Sequence, residues 1–142
     1  LSGHKGAIGR ASTVASEMGL RATELAVAGA FHSPLMAPAA ERLRAALEKT
    51  AIRPPRCSVW SNVTARAHVP EDGVGIEETI RRRLVEQLTK PVRWAEECVA
   101  MGAAAGSGGG EFHELAPGKT LAGLMRRIDK NIKVITHEDP GT

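Results

Sequence analysis

Aromatic side chains are scarce in this 142-residue chain, which has two Phe, two Trp and no Tyr. Proteins that hold single-stranded nucleic acid stack its bases on aromatic rings, so the net charge of +3 has no stacking platform beside it. Nucleic acid is therefore not an expected partner. Cysteine is equally sparse: Cys57 and Cys98 form no short-spaced pair with each other or with a histidine, which argues against a zinc site or a disulfide scaffold. A reducing, cytoplasmic setting is expected. His4, His68, His113 and His137 are scattered without ligand spacing, so no metal site is expected. No apolar run approaches the ~20 residues needed to cross a bilayer, and no charged-then-apolar leader is visible, so no membrane partner is expected. An initiating methionine is missing too, and the helical pattern starts almost at once, so the chain reads as cut from something longer.

What is present suits a globular domain. A hydrophobic content of 42% over 142 residues supports one modest core. Ile8, Ala11, Ala15 and Met18 recur at helical spacing over residues 5–19, with Gly19 as a stop signal. Alternation at Leu25 and Val27 predicts a short strand over 23–28. Met36, Ala40, Leu43 and Leu47 line one face of a second helix, which Pro54-Pro55 is expected to end. Residues 57–61 read as a strand, 63–69 as a looser extended stretch and 70–75 as a turn-rich loop. Ile76, Ile80, Leu84 and Leu88 form another four-residue stripe, and a further helix is expected from Pro91, with Trp94, Cys98 and Met101 on its buried side. A strand over 112–115, a helix over 119–129 with Leu121, Leu124, Met125 and Ile128 inward, and a strand over 132–135 complete the pattern. Strands alternating with helices predict an α/β fold with a largely parallel sheet. The one low-complexity stretch, residues 102–110, lacks the Gly-Lys-Ser/Thr ending of a phosphate loop and reads as a flexible connection.

The sharpest local feature is Gly29-Ala30-Phe31-His32-Ser33-Pro34-Leu35-Met36, which sets a histidine on a connection just ahead of a helix. Histidine titrates near neutrality, so an imidazole aimed into a cleft can take a proton from a hydroxyl and return it within one cycle. A capping or packing histidine is the alternative that the residues alone leave open.

That octapeptide resembles the histidine motif of the malonyl-CoA:acyl carrier protein transacylases and of the related acyltransferase domains of polyketide and fatty acid synthases. Ser61-Asn62-Val63-Thr64, Gln87-Leu88-Thr89-Lys90-Pro91-Val92-Arg93-Trp94 and Ala116-Pro117-Gly118-Lys119 match further stretches of that family in the same order. The resemblance implies an α/β-hydrolase-like domain interrupted by a small ferredoxin-like one. Residues 1–28 would be the end of the small subdomain, and 29–142 the C-terminal part of the large one. It also implies a reaction. In the family a serine on a Gly-His-Ser-x-Gly elbow takes the malonyl group from malonyl-CoA and hands it to the phosphopantetheine thiol of acyl carrier protein, as in fatty acid biosynthesis. His32 matches the general base, and Gln87 the residue whose main-chain carbonyl orients it. Phe31 resembles the Phe of the Phe-His pair in malonyl-selective members, where Ser-His accompanies methyl-branched substrates; simple core packing is its alternative. Asn62 could order the loops around the site, although a turn residue is the more economical reading. Malonyl-CoA enters as substrate, and no cofactor is implied.

No Gly-x-Ser-x-Gly occurs in the chain, so the nucleophile is expected elsewhere and the chain alone is expected to be inactive. The family arginine that pairs with the malonyl carboxylate is likewise expected outside it. Ala116 stands where the family usually has glycine. Arg81-Arg82-Arg83, with Lys119, Arg126, Arg127, Lys130 and Lys133, offers positive charge for CoA phosphates or an acidic carrier protein, unless it is simply a solvated face. A different class of function stays open on that charge: a non-catalytic module that docks a carrier protein. An incomplete core with uncovered sheet edges is expected of such a chain standing alone.

Overall fold

The computed structural model describes residues 1–106, 110–115 and 117–137. They form two compact units, one of residues 1–59 and 68–92, the other of residues 60–67 with the described residues from Arg93 onward.

In the first unit, helix α1 spans Lys5–Glu17. Gly19 ends it in the left-handed conformation at φ 71°. The Leu20 N–H reaches back to the Ala15 carbonyl at 2.8 Å and the Gly19 N–H to that of Ser16 at 3.0 Å, the paired closure that only a residue tolerant of positive φ permits without strain. No residue of α1 is buried. The strand expected over 23–28 does not form: Leu25 and Val27 are exposed and no described segment pairs with them, so alternation there has no sheet to join. A single 3-10 turn, Pro34–Met36, leads into α2, Ala37–Glu48. Helix α2 ends well before Pro54-Pro55. Arg81 stops it by donating from Nε to the Leu47 carbonyl at 3.0 Å and from Nη2 to that of Thr50 at 3.3 Å, so side-chain capping replaces the expected proline stop.

Helix α3 spans Ile76–Gln87, with Glu77 and Glu78 in its first turn against the positive end of the helix dipole. It packs on α2. Its buried residues are Thr79 and Val85, not the expected stripe, in which Leu84 stays exposed.

The second unit begins with a hairpin, β1 (Trp60–Ser61) antiparallel to β2 (Arg66–Ala67), a shorter pairing than expected. Helix α4 (Trp94–Ala104) starts three residues after the expected Pro91, with Arg93 at its N-cap. Then β3 (Phe112–Glu114), α5 (Thr120–Ile128) and β4 (Val134–Thr136) make a βαβ unit whose strands pair in parallel, Phe112 beside Val134 and Glu114 beside Thr136. The fold class is α/β as expected, but the described sheets are one parallel and one antiparallel pair rather than a largely parallel sheet. Cys98 and Met125 are the buried apolar side chains of α4 and α5, while Leu121 and Leu124 remain partly exposed. A Cβ on Gly102 would come within 2.8 Å of Ile132 Cδ1, so α4 and the segment before β4 approach closely there and a larger residue would displace the tip of that side chain. Ala116 and the middle of the glycine run, residues 107–109, lie outside the described residues.

Candidate active site

His32 sits in the turn between Ala30 and the 3-10 helix and adopts φ 62°, a left-handed conformation uncommon for a residue with a side chain. Three contacts hold it there. Ser33, itself buried, donates from Oγ to the Ala30 carbonyl at 2.6 Å and accepts from the Leu35 N–H at 3.3 Å, closing the turn on both sides. The His32 N–H donates to the Leu88 carbonyl at 2.9 Å. The ring Nδ1 meets the Gln87 carbonyl oxygen at 2.7 Å. Gln87 and Leu88 close α3, where the last carbonyls have no helical N–H to accept from, so they are free to grip a residue from another segment.

The tautomer follows from this geometry. A carbonyl oxygen only accepts, so Nδ1 carries the hydrogen and Nε2 is left with its lone pair. The Gln87 side-chain Nε2 lies 3.4 Å from the same ring nitrogen, but two donors face each other there in this tautomer. The main chain is therefore the partner. His32 is half-buried, so Nε2 belongs to a ring that is held and still accessible.

Of the other residues singled out from the sequence, Phe31 flanks His32 and is 45% exposed. Asn62 belongs to the second unit. There it forms part of a tight turn between β1 and β2: the Ser61 carbonyl accepts from Thr64 and Ala65, and Ala65 takes φ 54°. Asn62 acts in this turn through its main chain, whose carbonyl accepts from the Arg93 N–H at 2.8 Å. Arg93 also donates from Nη1 to the Thr64 carbonyl at 3.1 Å and pairs with Glu96, which pulls the Glu96 carboxyl below its usual range. This arginine, which sequence reasoning did not single out, ties the Ser61–Thr64 motif to the start of α4. Ser33 was also missed, although a serine followed by proline is a recognisable start signal for a helical turn.

The basic run Arg81-Arg82-Arg83 is committed internally. Arg81 pairs with Glu78 at 2.5 Å, Arg82 with Asp72 at 2.7 Å and Glu71 at 2.8 Å, and Arg83 with Glu86 at 2.6 Å and also with Glu71. The run is neither a free phosphate site nor a plain solvated face. Arg126 and Arg127 lie in the last turn of α5, where positive charge complements the helix dipole.

In the second unit, buried Glu114 accepts from the Leu121 and Ala122 amides, each at 2.9 Å, and so caps α5 from β3. Burial pushes the Glu97 carboxyl up, and burial together with Glu97 pushes the Cys98 thiol up. Parallel pairing of β3 and β4 stacks His113 on His137, with ring nitrogens 2.8 Å apart, two histidines that are distant in sequence. Among the described residues no group of three or more His, Cys, Asp or Glu is placed to hold a metal. No described helix is long and apolar enough to cross a membrane.

No model of a known protein family matches the chain. Individual proteins do. A malonyl CoA-acyl carrier protein transacylase of Bacillus subtilis is 38% identical over 100% of this chain and 42% of its own length. The crystal structure of a malonyl-CoA:acyl carrier protein transacylase from Xanthomonas oryzae superposes with a TM-score of 0.84 at 36% identity, over 97% of this chain and 41% of that one. A malonyl-transacylase solved in complex with its type II polyketide synthase acyl carrier protein gives 0.85 at 34% identity, over 96% of this chain and 42% of that one. By sequence and fold together, the chain is similar to acyltransferases, and its own fold is α/β. Within that class the similarity is to the malonyl CoA-acyl carrier protein transacylases, and the chain spans 42% of the length of the Bacillus subtilis relative.

Proposed function

We propose that this chain is the C-terminal portion of a malonyl-CoA:acyl carrier protein S-malonyltransferase and carries its general base, His32. The observation that carries the reading is the 2.7 Å contact between His32 Nδ1 and the Gln87 carbonyl, which leaves Nε2 as a proton acceptor. Homology to transacylases along the whole chain supplies the reaction class.

The nucleophile is a serine from the part of the fold that this chain does not span. Its Oγ adds to the thioester carbonyl of malonyl-CoA while the Oγ proton passes to His32 Nε2. The carbon–sulfur bond breaks, and the imidazolium returns that proton to the departing CoA thiolate. In the second half the phosphopantetheine thiol of acyl carrier protein gives its proton to Nε2 and attacks the malonyl-serine ester. The carbon–oxygen bond breaks, and serine Oγ recovers the proton. Between these transfers the ring is cationic, and the Gln87 carbonyl at the negative end of the α3 dipole faces it. Malonyl-CoA is a substrate and the cycle uses no cofactor. By itself, without that serine, the chain forms no acyl-enzyme.

Phe31 narrows the space beside the base and so favours malonyl over α-methylated groups. Asn62 orders a loop through its bond with Arg93. Residues 1–28 close a small ferredoxin-like subdomain and 29–142 belong to the large domain. A cytoplasmic setting goes with two free thiols, Cys57 and Cys98. A purely docking role loses three of its eight candidate basic residues, since Arg81, Arg82 and Arg83 are already paired.

The test is malonyl transfer from malonyl-CoA to holo acyl carrier protein by the complete enzyme. His32→Ala should slow it by about 10²–10⁴-fold, the usual contribution of a positioned acid–base group, with the fold intact by circular dichroism. Turnover near that of the parent would overturn the assignment.

A further inference from the structure

We infer that Pro91 is a positioning residue: by withholding an amide N–H, it leaves the Gln87 carbonyl uncontested for the His32 ring. This rests on the reading of His32 as general base. In an α-helix the carbonyl of residue i is claimed by the N–H of residue i+4. Past the end of α3 that series continues, with the Lys90 N–H donating to the Glu86 carbonyl at 2.9 Å. The next donor in line for the Gln87 oxygen is residue 91, which is proline and has none. None of the other described amides donates to that oxygen, and His32 Nδ1 does so instead at 2.7 Å, at the short end of the range for N–H···O. Proline also disfavours a helical conformation at Lys90, so α3 cannot lengthen through the site. The following carbonyl, that of Leu88, is then open for the His32 N–H at 2.9 Å.

A second feature makes the competition consequential. The Gln87 amide, 3.4 Å from the same ring nitrogen, can donate to Nδ1 if the ring flips to the Nε2–H tautomer. That tautomer has no lone pair at Nε2 and cannot take the serine proton. One residue thus offers a partner to each tautomer, its carbonyl to the productive one and its side chain to the other. An N–H at position 91 would share the carbonyl and tip the balance toward the wrong form. A carbonyl has two lone pairs, so sharing weakens the bond rather than abolishing it. The expected loss is on the scale of one neutral hydrogen bond, about tenfold in rate.

The experiment compares three variants of the complete transacylase: Pro91→Ala, Pro91→lactic acid (which has neither ring nor N–H), and His32→Ala. It reads kcat and KM for malonyl transfer and the ¹⁵N shifts of the His32 ring. Pro91→Ala should lower kcat about tenfold with KM for malonyl-CoA nearly unchanged, and move Nδ1 toward the unprotonated shift. Pro91→lactic acid should restore both kcat and the shifts. An unchanged tautomer and kcat in Pro91→Ala would overturn the inference. So would equal impairment of the two Pro91 variants, which would assign the effect to ring stiffness. Full turnover by His32→Ala would instead bring down the general-base reading, whatever the Pro91 variants show.

Discussion

At residue 32 a histidine accepts a left-handed backbone, and two consecutive carbonyls hold it there, one on its amide and one on its ring. A main-chain carbonyl has a practical consequence: it survives any substitution of the side chain that carries it. Gln87→Ala in the complete enzyme is therefore expected to cost less than about tenfold in kcat, far below the loss for His32→Ala. A loss for Gln87→Ala equal to that of His32→Ala would show that the side chain, not the carbonyl, orients the ring. Phe31 is half-exposed beside His32, and its proposed role in selectivity is open to test. Phe31→Ser is expected to raise kcat/KM for methylmalonyl-CoA relative to malonyl-CoA by about tenfold or more, the discrimination one methyl-sized group provides. An unchanged ratio in competition assays would remove Phe31 from selectivity. The motif around His32 was legible in sequence because its residues are contiguous. Arg93 was not, because its importance lies in bonds to the carbonyl of Asn62 and, through its guanidinium, to that of Thr64, about thirty positions earlier.

Among the elements, helix periodicity located α1, α2, α3 and α5 to within a few residues, and the errors were in what ends a helix. Proline signals at 54 and 91 suggested a stop and a start, but α2 is capped by Arg81 and α4 begins at Trp94. Each difference comes from a side chain or turn supplied by another part of the chain. The same holds for Glu114, whose carboxylate caps α5 from a neighbouring strand. Glu114→Ala is expected to destabilise the protein by about 2–3 kcal/mol, the cost of losing two charge-assisted bonds at the start of α5. Hydrogen exchange is the direct check. The Leu121 and Ala122 amides should lose protection first, and unchanged protection there would show that the cap adds nothing.

For the whole molecule, the described apolar core is thin: Ala40, Ala65, Val85, Cys98 and Met125 are buried, while Phe31, Leu35, Leu84, Val92 and Val99 among others stay exposed. The incomplete burial expected of the chain alone is what the described residues display. Cys98 is fully buried and its thiol is pushed up by burial, whereas Cys57 is exposed. Under native conditions near neutral pH, a disulfide reagent is expected to modify Cys57 quickly and Cys98 only on unfolding. Equal rates at both, followed by peptide mapping, would show that the α4 core opens freely. By itself the sequence determined the α/β class, the order and type of most elements, and the histidine motif with its family, because periodicity and contiguous motifs are local properties of a chain. Tertiary structure alone decided which strands pair and in which direction, and which arginines are already neutralised; the meeting of the Gln87 carbonyl with His32 across 55 positions was implied by the family resemblance, not by spacing. Those outcomes depend on hydrogen-bond partners brought together through space, and nothing in the spacing along a single chain specifies them.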